Sequence, residues 1–245
     1  RGASGRAAEW LRFSHRKKMP PDPDPAELTL TPEAALSLLI NRAQILSAST
    51  PRRVVLGLAG GPGVGKSTLA LEIIKNLNDT EPGRAAFVPM DGFHMRHAKL
   101  ETLGTVKDKG APHTFEGAEF VEFLRRLKSA DCAVSGPGYS RKIEDVVDDA
   151  FTVPPEVKIL VTEGNYLLLD SAPWDAVRPL LDLAVFIDVP RETVRNRLMN
   201  RHAEEGLFSE ERNREHVNRV DLPNYDLVTL SRTRADLVIN LVAER

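Results

Sequence analysis

An α/β fold is predicted, with a parallel five-stranded sheet as the middle of three layers and helices above and below it, and two observations carry that expectation. From residue 53 onward short apolar runs alternate with helical patterns, the order that builds a parallel sheet covered on both faces. At the first crossing from strand to helix stands Gly60-Gly61-Pro62-Gly63-Val64-Gly65-Lys66-Ser67, a complete G-x4-G-K-[ST] phosphate cradle. Together they predict the α/β/α layering of a P-loop NTPase with its site beyond the carboxyl ends of the strands.

The elements follow in order. Residues 1–25 read as a basic tail and a Pro-rich linker, because Pro20, Pro21, Pro23 and Pro25 lack N–H donors and restrict their predecessors. A helix is predicted over Thr31–Ser47, with Thr31 as N-cap, Pro32 in the first turn and Leu36, Leu39, Ile40, Ala43 and Leu46 as its apolar stripe. Buried strands are expected at Val54–Ala59, Ala85–Met90, Val157–Thr162, Leu183–Val189 and Asp236–Val242. Helices are expected at Gly65–Asn78, Glu116–Ser129, Pro173–Leu181 and Pro190–Glu205. Residues 97–114, without a clean period, read as a loop over the site. Residues 26–245 thus form one domain, with an N-terminal helix in 26–50 and a lid region at about 191–220.

Composition narrows the function. The chain has 245 residues, 42% of them hydrophobic and 28% charged, with a net charge of −2. That balance lacks the positive excess expected of a nucleic-acid or membrane-lipid binder. No apolar run approaches the ~20 residues that cross a bilayer. A single cysteine, Cys132, excludes an internal disulfide and suits a reducing compartment. A cytoplasmic location follows, or an organellar one if residues 1–18 are a transit-peptide remnant, since Arg1, Arg6, Arg12, Arg16, Lys17 and Lys18 face Glu9 alone there. A homodimer stays open.

The cradle sets the chemistry. The backbone of Gly60, Gly61, Pro62, Gly63, Val64 and Gly65, with the helix start at Lys66, Ser67 and Thr68, is expected to bind the phosphates of ATP. Lys66 holds the β and γ phosphates and Ser67 ligates Mg²⁺. No Asn-Lys pair of a GTPase base-reading motif and no LSGGQ-like signature of a transporter ATPase occurs. Asp91 stands instead at the end of the next strand, as a general base for an acceptor hydroxyl or a turn-initiating Asp before Gly92. Glu163, at the end of the third strand, is a Mg²⁺ ligand or a solvated strand end. Asp188 is assigned to local capping. Arg197 and Arg201, at i and i+4 on one helix face, are a phosphate clamp or a solvated surface. Tyr139 and Arg141 follow Pro137 and Gly138 in an expected loop, as acceptor contacts or as packing.

These residues resemble the P-loop kinases of the uridine kinase, type I pantothenate kinase and phosphoribulokinase superfamily, including its fructose-transport-system-kinase-like subgroup. The resemblance spans about Arg53 to Leu241. It rests on the P-loop, Met90–His94, Lys109–Glu116, Pro137–Asp145, Glu163–Leu169 and Arg197–His202. Asp91-Gly92-Phe93-His94 lies nearer to pantothenate kinases than to the Asp-Ser-Phe-Tyr version of uridine kinases. The resemblance implies Asp91 as catalytic base, Glu163 at the Mg²⁺ site, and His94, His113, Tyr139 and Arg141 around a small-molecule hydroxyl acceptor. An ATP- and Mg²⁺-dependent phosphotransferase acting on a nucleoside-, pantothenate- or sugar-like alcohol is expected. The alternatives are a nucleotide-binding subunit whose kinase site has been retired and a P-loop ATPase without an acceptor. By family analogy, adenine contacts are expected near Arg232–Arg234.

Overall fold

The computed structural model describes residues 24–206 and 209–242. The basic tail and residues 20–23 of the Pro-rich linker lie outside these residues. The strands are β1 (Ala26–Leu30), β2 (Val54–Ala59), β3 (Ala85–Pro89), β4 (Val134–Ser140), β5 (Asp145–Val153), β6 (Ile159–Gly164), β7 (Leu183–Asp188) and β8 (Leu237–Leu241). The α-helices are α1 (Pro32–Ala48), α2 (Lys66–Thr80), α3 (His97–Leu103), α4 (Gly117–Ser129), α5 (Arg191–Glu205), α6 (Glu210–His216) and α7 (Leu222–Thr229).

The main sheet is parallel throughout, in the order β1-β8-β7-β2-β6-β3, while β4 and β5 form a separate antiparallel hairpin. It has six strands where five were expected. The extra one, β1, is an exposed edge strand of mixed polarity, so it lacks the apolar run that marks the central strands, and only its backbone pairing with β8 makes it a strand.

Every residue of β2 is buried, and its side chains alternate between two cores as strand geometry requires. Val55 and Ala59 face a core with Phe120, Leu124, Tyr166 and Trp174. Val54, Leu56 and Leu58 face one with Leu39, Ile73 and Leu77 from α1 and α2. Thr31 caps α1 as predicted, its hydroxyl accepting from the Ala34 amide. Arg53, just ahead of β2, is buried and donates to three carbonyls: Leu127 at 2.7 Å, Pro154 at 2.7 Å and Val157 at 3.0 Å. It ties the start of the central strand to the end of α4 and to the chain between β5 and β6.

Three local expectations are corrected. Residues 173–181 form 3-10 turns at Trp174–Ala176 and Arg178–Leu180 rather than a helix, because Pro173 and Pro179 withhold donors. Residues 97–114 contain α3 and two 3-10 turns, Val106–Asp108 and Pro112–Thr114, rather than an irregular loop. Asp188 does not cap α5: Pro190 occupies the cap position without a side-chain bond, and the Asp188 carboxylate faces Arg232 at 3.6 Å.

Candidate active site

Three strands deliver the central groups. β2 runs into the glycine-rich turn, β3 into a 3-10 turn at Met90–Phe93, and β6 ends on Glu163 and Gly164. The register sets Glu163 level with Leu58 of β2 on one side and Pro89 of β3 on the other. Its carboxylate therefore emerges between the cradle and the Asp91 turn.

α2 begins at Lys66 with Gly65 in the left-handed region at φ 97° and no side-chain cap. Its first amides are thus left to a ligand, where the positive end of the helix dipole favours an anion. Pro62 through Thr68 line a cavity of about 1440 Å³. Gly60 and Gly61 stand behind it. A Cβ on Gly61 would come 2.6 Å from the Tyr225 ring, so a glycine is needed there for close packing.

Lys66 is buried, and its ammonium donates to the Gly61 carbonyl at 2.8 Å and to Asn165 Oδ1 at 2.9 Å. Burial lowers its pKa, opposed by the nearby carboxylates of Glu163 and Asp91. Glu163, 4% exposed, is pushed up to about 7, mainly by burial and then by Asp91, while Lys66 and a hydrogen bond from Ser67 pull it down. A buried carboxylate beside a serine hydroxyl is a hard, all-oxygen donor pair suited to Mg²⁺. The desolvated lysine and the uncapped helix start suit a polyphosphate. The residues therefore fit both ATP and Mg²⁺.

Asp91 lines the cavity on a turn anchored by Phe93, whose ring packs on Phe120 and Phe123 at centroid distances of 5.2 and 5.3 Å. His94 follows in the same turn. Its Nδ1 lies 2.8 Å from the Asp91 carbonyl, which can only accept, so Nδ1 carries the proton and Nε2 of the neutral ring is an acceptor. The ring stacks on Phe115 at 3.9 Å and Tyr139 at 4.6 Å. Burial lowers its pKa, with Asp91 working against that shift.

Tyr139 lies in β4, not in the loop expected from Pro137 and Gly138. The β4–β5 register shifts between Gly136 and Gly138, a bulge that admits the proline. Arg141 sits in the turn after β4, exposed at the cavity rim. His113 is an expected acceptor-site residue that the fold does not bring in. It is exposed, absent from the cavity lining, and 3.6 Å from Asp108, because the Pro112 turn carries it outward. Arg197 and Arg201 both reach the cavity from α5, Arg197 exposed and Arg201 half-buried. Arg232 and Arg234 do not line it. Arg232 pairs with Glu27 and Asp188, and Arg234 donates to the Leu168 and Leu169 carbonyls.

Two site residues escape sequence reasoning. Asn165 directly engages Lys66; it falls within the Glu163–Leu169 motif, but no role was assigned to it. Lys109 reaches over the Tyr139 ring at 5.2 Å and donates to the Glu144 carbonyl. It lies in a stretch without periodicity.

A parallel α/β sheet carrying a phosphate cradle and strand-end carboxylates at one cavity defines a P-loop kinase class of protein. The phosphoribulokinase/uridine kinase family model matches residues 55–245. A Schizosaccharomyces pombe protein provisionally named a uridine kinase is 35% identical over 208 residues, covering 82% of this chain and 88% of that protein. Escherichia coli YggC is 34% identical over 209 residues, covering 84% and 86%. A crystal structure from Silicibacter sp. TM1040, provisionally described as a fructose transport system kinase, superposes with a TM-score of 0.75 at 31% identity, covering 83% of this chain and 98% of that one. The chain belongs to the phosphoribulokinase/uridine kinase family, and so to the small-molecule kinases. Among the described residues no helix is long and apolar enough to cross a membrane.

Proposed function

We propose that the protein transfers the γ-phosphoryl group of ATP to a hydroxyl of a small molecule. The observation that carries this reading is electrostatic: Lys66, Glu163 and Asp91 act on one another within one cavity, which joins the phosphate cradle to a carboxylate on the neighbouring strand. The cavity also exceeds the ~300–1,000 Å³ usual for a single ligand, leaving room for a nucleotide beside an acceptor.

In this reaction the amides of residues 63–68 and the Lys66 ammonium hold the β and γ phosphates. Ser67 and Glu163 would hold Mg²⁺, which would supply positive charge to offset that of the phosphates. Asp91 orients the acceptor hydroxyl and takes its proton as the oxygen attacks phosphorus. Arg197 and Arg201 offset charge on the transferring group from the α5–α7 segment, which acts as the lid. Asn165 keeps the Lys66 ammonium in place before the nucleotide arrives.

On the acceptor side, His94 Nε2 offers an acceptor for a second hydroxyl. Tyr139, Lys109 and Arg141 suit a polyhydroxylated or anionic molecule. ADP release measured with ATP and Mg²⁺ across nucleosides, pantothenate, glycerate, ketohexoses and pentose phosphates tests the proposal. One acceptor class should stimulate release strongly. Hydrolysis indifferent to every acceptor overturns it in favour of a plain ATPase.

A further inference from the structure

On the α5–α7 segment three side chains with metal-binding donors converge. His202 comes from α5, His216 is the last residue of α6, and Asp221 closes a π-helical turn at Val217–Asp221. One ring nitrogen from each histidine and one carboxylate oxygen all lie within 4.8 Å of one another. His202 Nε2 is 3.0 Å from Asp221 Oδ2, and the two imidazoles meet edge to face at 5.5 Å. The His202 and Asp221 side chains are only 16% and 12% exposed, yet all three residues line the large cavity.

The backbone supplies a second, independent observation. In an α-helix, residues five apart project about 140° from each other, so His216 and Asp221 would face different ways. The π turn, whose Leu222 amide reaches the Val217 carbonyl, adds a residue to the turn and swings Asp221 back toward His216. Such turns are rare and concentrate at functional sites.

We propose that His202, His216 and Asp221 form a three-ligand site for a borderline divalent transition-metal ion of the zinc class, with a fourth position open to the cavity. Two imidazoles and one carboxylate are a Zn²⁺- or Co²⁺-type donor set. The hydroxyl–carboxylate pair of Ser67 and Glu163 is a Mg²⁺-type set. The two sites thus divide cations by hardness. Arg201 borders the same cavity and opposes an added cation, so affinity rests on the imidazoles and on the Asp221 carboxylate. A bound ion ties α5 to the π turn and fixes the helix that carries Arg197 and Arg201. This inference stands apart from the phosphoryl-transfer proposal, because metal binding is read without nucleotide or acceptor.

The test is a Co²⁺ titration of the tag-free full chain, nucleotide-free and in excess Mg²⁺, followed by visible absorption and equilibrium dialysis. Saturation at one Co²⁺ per chain, with the d–d bands of a low-coordinate nitrogen/oxygen site displaced by Zn²⁺, is expected. His216→Ala and Asp221→Asn should each weaken binding by at least the ~10- to 100-fold that loss of even a supporting residue costs a metal site. Glu163→Gln should leave it unchanged. Zn²⁺ should raise the Tm of the wild type but not of His216→Ala, and His202→Gln gives the same comparison if His216→Ala does not fold. Absence of saturable binding, binding unaltered in the His216 and Asp221 variants, or binding lost in Glu163→Gln instead overturns the proposal, leaving a hydrogen-bonded triad.

Discussion

The Asp91 carboxylate and the His94 ring share one tight turn, and that makes their roles separable. Replacing Asp91 with Asn keeps size and most hydrogen bonding while removing the proposed base. ATP affinity should change little, and kcat should fall by about 10²- to 10⁴-fold, as steady-state kinetics with the identified acceptor will read. His94 supplies a pH signature. Its pKa is lowered in the fold from 6.5 by burial, so the folded state prefers the neutral ring and the unfolded chain binds the proton more readily. The stability linked to this ring is present above pH 6.5 and is lost as the pH falls through the lowered folded value. Urea unfolding of wild type and His94→Gln should therefore diverge in slope on the acid side of pH 6.5 and run parallel above it.

Local packing between elements decides how firmly those side chains are aimed. The Asp91 turn touches β4 so closely that a Cβ on Gly92 would come 2.1 Å from the Pro137 carbonyl oxygen. Gly92→Ala must push the turn away from the hairpin, and we expect at least a tenfold loss of kcat/KM, an ångström-sized displacement being enough, with the circular dichroism of a folded chain. Arg53→Met leaves three carbonyls without their buried donor. It should cost roughly 2–4 kcal/mol in chemical denaturation. The elements that carry the cradle were legible because their signals are local. β2 is a short apolar run, α2 follows a glycine-rich turn, and Glu163 ends an apolar strand. The β4–β5 hairpin was not legible, since Gly136, Pro137 and Gly138 read as turn chemistry and only pairing with residues 145–153 overrides that reading. Lys109 and Asn165 stood inside recognised motifs, but their roles were not legible for a related reason: their partners are set by tertiary proximity. His113 shows the converse, a residue singled out by its motif that the turn at Pro112 aims at Asp108.

The cavity is closed on one side by residues 97–114 and on another by α5–α7, and these two walls meet at an Arg219–Asp108 ion pair of 3.5 Å and at the Gly110 carbonyl. Gly110 accepts from the Tyr166 hydroxyl and from Asn224 Nδ2, the latter at 3.1 Å. Tyr166 belongs to the buried core and Asn224 to α7, so the acceptor wall is fastened to both the immobile centre and the outer helices. Each neutral bond contributes about 1 kcal/mol. Asn224→Ala should raise the acceptor KM several-fold while the KM for ATP stays near its original value, a split that general destabilisation would not produce.

The pairing of β1 with β8 also sets a timetable. Among the described residues Ala26–Leu30 pairs in the sheet with Leu237–Leu241 alone, which are translated more than two hundred residues later. While the chain is being synthesised, β1 must wait without this partner as the strands between are made and ordered. It can take its place only after β8 has left the ribosome. Its exposed, partly polar sequence suits that wait, because an apolar strand left unpaired for so long would invite association with other chains.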